Sequence, residues 1–511
     1  MSTQRTGTSS SLNTMSVIPP KMAAPIVDSL LRKDRATDWK RAPMVTGISL
    51  ALHLLVLGMF TFVVFKNPKL VEEIFTTVTD SEPPAEPIVD QSLFAPQEPQ
   101  ETQPEQQLAS QEIASSFNFD TKGPIDLNVS DGPVQLATDP NSSGPSFNLP
   151  TGSETSGRMS ANKTQMVAKF GGNSASEASV AYGMKWLENH QFPNGSWSFA
   201  HSKHSECKGK CSQDGSFVDC PNGATGLALL AFLGGGHTHQ KGDYQKNVKR
   251  GIDFLLKAAK DTPEGLDLRG TVTANEGMYV HGLCTIALCE CSAMTKDRRV
   301  RTAAERAIQF IVKAQNPKDG GWRYSPGQEG DTSVVGWQVM ALKAGNDAKI
   351  SFPGQAFKKA EGFLQLAQAE GGAKYKYTPD GAPTETMTAV GLLCRMYGSW
   401  DRKTKALGAG VEYLDKVKPS PNNMYYNYYA TQVMHHWGGD EWTRWNAIMR
   451  DQLVRTQHQL KDGHLAGSWD IADPHGGAGG RHYMTCLAVM TLEVYYRHLP
   501  MYDRERIQVE R

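Results

Sequence analysis

Hydrophobic and polar positions divide the 511 residues into three textures. From Ala42 to Phe65 the chain reads APMVTGISLALHLLVLGMFTFVVF, an apolar run of about 24 residues that is long enough to cross a bilayer core of about 30 Å with some tilt. From about Asp80 to Gly172, Pro, Glu, Gln, Ser and Gly dominate and no apolar period is sustained. Beyond Ser176 amphipathic helical patterning continues almost to the end.

The first texture predicts a transmembrane helix over 42–65. A cleaved signal peptide fits less well, because the run starts some 40 residues in, exceeds the usual apolar region and lacks a clear small-residue cleavage site. Arg32, Lys33, Arg35, Lys40 and Arg41 precede the run, whereas Glu72, Glu73 and Asp80 follow closely on Lys66 and Lys69. The positive-inside rule then keeps residues 1–41 cytoplasmic and exports the rest to the periplasmic side of the inner membrane. Residues 66–172 predict a disordered linker, since such a composition cannot bury enough surface to offset its ordering entropy. As a flexible coil of about 90 residues it would hold the following domain some 50 Å from the membrane on average.

The third texture repeats. One half of the unit is a helix ending in Gln or an equivalent, followed by a Gly-rich turn that closes on an aromatic: KWLENHQFPNGSW up to Trp197, FIVKAQNPKDGGW up to Trp322 and FLQLAQAEGGAKY up to Tyr375. The other half is a more apolar helix that begins near a Thr, at Thr225, Thr332, Thr388, Thr431 and Thr485, with His281 in the remaining copy. These markers recur about every 43 to 56 residues, the spacing of a two-helix repeat. An amphipathic helix and a nearly all-apolar helix per repeat share one core when arranged as concentric rings, so residues 173–500 predict an all-α, α6/α6-like toroid of about six hairpins. Closure is favoured over an open solenoid because the sixth copy keeps a strong turn, Ala466-Gly467-Ser468-Trp469, in place of an eroded cap. Residues 501–511 form a charged tail.

Gln191, Gly195 and Trp197 fit the QxxxGxW motif of squalene-hopene and oxidosqualene cyclases, and Gln315, Gly321 and Trp322 give a variant one residue longer. With the period, these residues make the chain resemble the squalene-cyclase and prenyltransferase superfamily over roughly 176–500. The resemblance implies that the motif residues, with Gly467 and Trp469, are structural, tying hairpins together. It also implies where chemistry would sit. Cyclases of this type protonate substrate with the middle Asp of DxDDTA, and on that alignment the donor falls on Gly330 while only the last of the three Asp survives, as Asp331. Asp331 precedes Thr332 and Ser333 at a helix start, which is capping chemistry. Protein prenyltransferases hold Zn²⁺ with Asp-x-Cys and a later His. Ser333 stands where the Cys would be, and His281 lies before the Asp, so both inherited activities lose a key residue.

Polar residues nevertheless gather at the predicted inner-helix starts: Tyr279, His281, Asp331, Glu385, Tyr425, Tyr428, Tyr429, Arg481, His482 and Tyr483. A base, an acid and a cation are also what elimination from uronic-acid polysaccharides requires. The same residues equally suit polar tips in a crowded ring mouth. Between the first turn and its inner helix an insertion carries His201, His204, Cys207, Cys211 and Cys220, enough ligands for tetrahedral Zn²⁺. An exported domain favours a disulfide among those cysteines instead, and neither spacing decides. No other cofactor is expected.

Lys plus Arg and Asp plus Glu number 53 each, so the net charge is zero and no basic face points to nucleic acid. Ser49 and His53 lie one turn apart within the apolar run and are similar to the Ser-x-x-x-His of TonB-type transducers, which makes a motor protein a candidate partner. The plainer alternative is a neutral His tolerated in a membrane anchor. The expectation is thus a tethered, exported toroid that acts as a binding or scaffold module for an apolar lipid or a glycan. The enzyme alternatives are a terpenoid cyclase-like or a polysaccharide lyase-like site at the inner-helix mouth.

Overall fold

The computed structural model describes residues 154–158, 160–272, 276–398 and 400–502, all within one compact unit spanning 114–511. The segment 42–65 expected to span a membrane, with Ser49 and His53, and the expected linker as far as residue 153 lie outside the described residues, as does the tail from residue 503. Among the described residues no helix is long and apolar enough to cross a membrane.

Among the described residues six inner helices are buried over most of their length; most positions along them are apolar, small or aromatic, with buried polar exceptions such as Gln338, Arg395 and His435. They are α3 (Pro221–Gly234), α5 (Gly277–Thr295), α7 (Thr332–Asp347), α9 (Glu385–Tyr397), α11 (Met424–Trp437) and α13 (Gly476–Leu492). Six outer helices bury one face only: α2 (Ser174–Asn189), α4 (Gln245–Ala258), α6 (Arg298–Ala314), α8 (Gln355–Ala367), α10 (Lys405–Val417) and α12 (Gly439–Thr456). In α6, Val300, Ala303, Ala304, Ala307, Ile308, Phe310, Ile311 and Ala314 make the buried stripe at helical spacing, and charged residues fill the other face. Each inner helix packs on the next, and α13 returns to α3, so the ring closes as the strong sixth turn predicted. The reading as purely α needs one small correction. Strands β1 (Lys260–Thr262) and β2 (Gly265–Asp267) form a hairpin in the second repeat's turn, and β3 (Gln368–Ala369), β4 (Lys374–Lys376) and β5 (Pro383–Thr384) form a small antiparallel sheet in the fourth's.

The repeat signature has a physical cause. The motif Gln spans two hairpins: Gln191 Nε2 donates to Gly195 O and to Asn247 O of α4, and Gln315 Nε2 donates to Gly320 O and to Ala356 O of α8. Each turn Trp donates its indole N–H to a carbonyl near the end of the preceding outer helix, as Trp197 does to Leu187 and Trp322 to Ile311. Of the five marker hydroxyls, Thr332 donates to Lys376 O and Thr431 accepts the indole N–H of Trp445, while three accept the backbone N–H at the turn: Trp197 N to Thr225, Tyr375 N to Thr388 and Trp469 N to Thr485. His281 Nδ1 does the same for Leu268 N, which is why a His can replace Thr in that copy.

Two assignments change. The glycine equivalent to Gly195 (φ 92°) and Gly467 (φ 90°) is Gly320 (φ 78°) and not Gly321. Only Gly320 has the left-handed backbone, and a Cβ there would meet Lys359 O at 2.2 Å. The disordered reading also stops short of residue 172. A 3-10 turn at Glu154–Arg158 and helix α1 (Ser160–Phe170) pack on the final helix α14 (Val494–Arg497), and Met166, Val167 and Phe170 are buried. Arg158 pairs with Glu290 at 2.7 Å, Arg497 with Glu290 at 3.1 Å and with Glu493 at 3.1 Å, all inside the C-terminal end of the inner ring. A short apolar set and one Arg within a Pro-rich stretch carry too little periodicity to reveal this packing from sequence.

Candidate functional site

The N-terminal ends of the inner helices enclose a cavity of about 940 Å³. This is near the top of the roughly 300–1,000 Å³ range of small-molecule sites. Its wall is mainly apolar and aromatic. Phe199 and Phe217 come from the insertion, Leu227 from α3, Leu283 from α5, Trp337 from α7 and Tyr483 from α13. Trp337 is held in place by Tyr428, stacked at 5.7 Å between ring centroids, and by Tyr429 edge-on at 5.6 Å. Among the described residues the carboxylates in the lining are Glu276 and Glu385.

Of the residues expected at the mouth, Tyr279, Glu385, Tyr425 and Tyr483 line the cavity. Tyr428 and Tyr429 are buried behind Trp337. Asp331 caps α7, with Oδ1 accepting from Val334 N at 2.9 Å and from the Ser333 hydroxyl at 2.7 Å. Ser333 in turn lies 2.5 Å from the Tyr279 hydroxyl, so a hydrogen-bond chain runs from a fully buried carboxyl to the cavity wall. Burial pushes the Asp331 carboxyl above the usual carboxylate range, opposed by the Val334 N–H, Ser333 and Arg323, whose Nε is 3.7 Å from Oδ2. Burial raises the Tyr279 phenol as well. Gly330, where a cyclase would carry its proton donor, has no room for a side chain: a Cβ would stand 2.8 Å from both Gly321 Cα and the Phe363 ring.

The remaining mouth candidates do not face the cavity. His281 donates from Nε2 to Ala307 O at 3.1 Å and accepts at Nδ1, and burial depresses its pKa to about 4. His482 bonds Ala224 O at 2.9 Å and is depressed to about 3 by the same burial. Arg481 is committed to Ser212 O, Ser468 Oγ and Asp470. Of the groups expected for elimination chemistry, His281, His482 and Arg481 are thus bonded within the protein, whereas Tyr279, Tyr425, Tyr483 and Glu385 line the cavity together with His475.

Residues 168–400 match the family model of the squalene-hopene cyclase C-terminal domain. The resemblance carried by Gln191, Gly195 and Trp197 thus holds over the first four repeats. No curated protein is significantly similar to the chain. Solved structures with a similar course include the GH76 alpha-mannanase BT2949 of Bacteroides thetaiotaomicron, at 11% identity and a TM-score of 0.46, covering 67% of this chain and 99% of that one. An alpha-1,6-mannanase of Salegentibacter sp. HEL1_6 follows at 8% identity and 0.44, covering 63% and 99%. A type II terpene cyclase from Scytonema, in complex with geranylgeranyl dihydroxybenzoate, matches at 11% identity and 0.41, covering 63% and 97%.

The cysteine insertion resolves differently from its sequence. All eight cysteines are free thiols and buried. Cys220 lines the central cavity beside α3, His201 faces Asp214 at 3.2 Å, and His204 Nδ1 accepts from Glu206 N at 3.3 Å. Only Cys207 and Cys211 of the five expected ligands come together, and they meet two histidines that the insertion does not contain, His190 and His464.

Proposed function

We propose that the toroid is a binding module that takes an elongated apolar molecule of the isoprenoid class into its central cavity. The cavity itself carries this reading: about 940 Å³, with Phe199, Phe217, Leu227, Leu283 and Trp337 in a wall that also holds the polar groups of Tyr279, Ser333, Glu385 and His475. The match to the cyclase domain supports the ligand class. The crowded Gly330 supports binding over cyclisation, because the position from which a cyclase would protonate its substrate cannot accept a carboxylate on this backbone. One observation favours a cyclase-like enzyme as the second reading, namely the Asp331–Ser333–Tyr279 chain that could pass a proton to the wall.

Titration of the full chain with geranylgeraniol, followed by Trp fluorescence and by product analysis, separates these readings. Saturable quenching with recovery of unchanged alcohol is expected. Leu227→Arg and Leu283→Arg place a charge in the apolar wall and are expected to weaken binding by at least about tenfold. A cyclic product that disappears in Asp331→Asn would establish an enzyme. Failure to bind the alcohol, with binding of a neutral or uronic oligosaccharide instead, would overturn the ligand class.

A further inference from the structure

His190, Cys207, Cys211 and His464 point at one another across the seam of the ring, their ligand atoms all within 4.8 Å. His190 follows the last turn of α2, the two cysteines belong to the insertion, and His464 lies in the 3-10 segment Leu460–Leu465 that precedes the sixth turn. Three of the four are buried and the fourth is half-buried. Cys211 Sγ lies 3.4 Å from His190 Nε2 and 3.1 Å from His464 Nδ1.

We propose that these four residues bind a structural Zn²⁺ ion that staples the first repeat to the sixth. A simple thiol–imidazole hydrogen bond needs one of each group, whereas here two thiols and two imidazoles converge on one point. Two thiolates and two neutral imidazoles are a standard closed set for tetrahedral Zn²⁺, and they cancel its charge in a buried place. The surroundings orient the ligands as such a site requires. His190 donates from Nδ1 to Trp186 O at 2.7 Å, which fixes the tautomer with the Nε2 lone pair toward Cys211. Trp186 stacks on the same ring at 4.0 Å. Lys208 (φ 50°) and Gly209 (φ 75°) reverse the backbone between the cysteines, and Cys211 N points at Cys207 Sγ at 3.4 Å, a contact that favours a thiolate. A Cys207–Cys211 disulfide would leave both imidazoles without a purpose.

The site has a structural consequence. The insertion it would anchor bonds the sixth repeat through Ser216 N to Gly477 O, Phe217 N to Ala478 O and Arg481 N to Gln213 O, and it supplies Phe199 and Phe217 to the cavity rim. The metal would hold both the seam and one wall of the cavity.

The test is elemental analysis of the full chain purified without chelators, which does not depend on any ligand in the cavity. One zinc per chain is expected, lost in the double variant Cys207→Ser/Cys211→Ser and lowered in His464→Ala. Should those variants misfold, reconstitution of metal-stripped wild type with Co²⁺ reads the same geometry, and intense tetrahedral ligand-field bands with thiolate charge transfer are expected. Folded wild type without zinc, a Cys207–Cys211 disulfide in mass mapping, or octahedral cobalt spectra would each overturn the proposal.

Discussion

At the scale of single residues, the buried hydroxyls and His281 decide whether each turn is held. Thr225 accepts Trp197 N at 3.0 Å in a fully buried place, so Thr225→Val leaves that N–H without a partner. A loss of about 1–3 kcal/mol is expected in denaturant unfolding, and Thr225→Ser should recover most of it. His281 gives the fold an acid-sensitive point. Both ring nitrogens are satisfied only in the neutral form, because Nδ1 must accept from Leu268 N while Nε2 donates. Asp267 favours its protonation and Arg269 opposes it, but burial dominates and holds the pKa near 4 against an ordinary 6.5. The folded state therefore binds this proton later than the unfolded state does. Its contribution is complete above about pH 6.5 and is lost as pH falls toward 4, on the order of 3 kcal/mol. Urea midpoints across that window should fall less steeply for His281→Gln, whose amide can serve both partners. Equal slopes in variant and wild type would contradict the assignment. The Thr positions were legible as a period. Their role was not, because it depends on which backbone N–H the fold brings to them, and the inherited chemistry drew His281 into a catalytic set when its neighbours make it a core residue.

At the scale of elements, the outer helices and their turns were readable because a 3.6-residue stripe and a Gln–Gly–aromatic turn are local. The closing contact was hidden in a copy whose Gln stands farther from its turn. Gln457 Nε2 donates to Gly467 O at 2.9 Å, as its counterparts do within their own turns, and to Ser179 O of α2 at 2.8 Å. It joins α12 to the first outer helix across 278 positions of sequence. Gln457→Ala should cost about 1–3 kcal/mol, as Gln315→Ala should, since each leaves a buried turn carbonyl, Gly467 O or Gly320 O, unpaired, while the helix carbonyls of Ser179 and Ala356 keep their own intrahelical N–H. Hydrogen exchange distinguishes them: only Gln457→Ala should raise exchange in α2. The proposed metal site follows the same logic. Cys207 and Cys211 stood out by spacing, and His190 was visible beside Gln191 of the motif, but His464 is adjacent to them only because the ring closes. A spacing rule confined to the insertion could not reach it, and it drew in His201, His204 and Cys220, which the backbone turns elsewhere.

At the scale of the whole domain, the ring has two unlike ends. The C-terminal end of the inner helices holds Arg158, Glu290, Glu493 and Arg497, joined by charge-assisted bonds, while burial still pushes the Glu493 carboxyl up to about 8. The N-terminal end is open enough to hold a cavity of about 940 Å³ with a mainly apolar and aromatic wall. Six hairpins could be counted from the sequence, but whether their centre would be filled or hollow could not, since that depends on how far side chains such as Trp337 and Tyr428 reach across the ring. Occupation of this hollow by an isoprenoid can be seen in a crystal structure of the protein with a brominated isoprenoid alcohol. An anomalous bromine peak within the cavity, between Trp337 and Leu227, is the predicted result. A bromine signal confined to the outer surface, with the cavity holding ordered water, would contradict it.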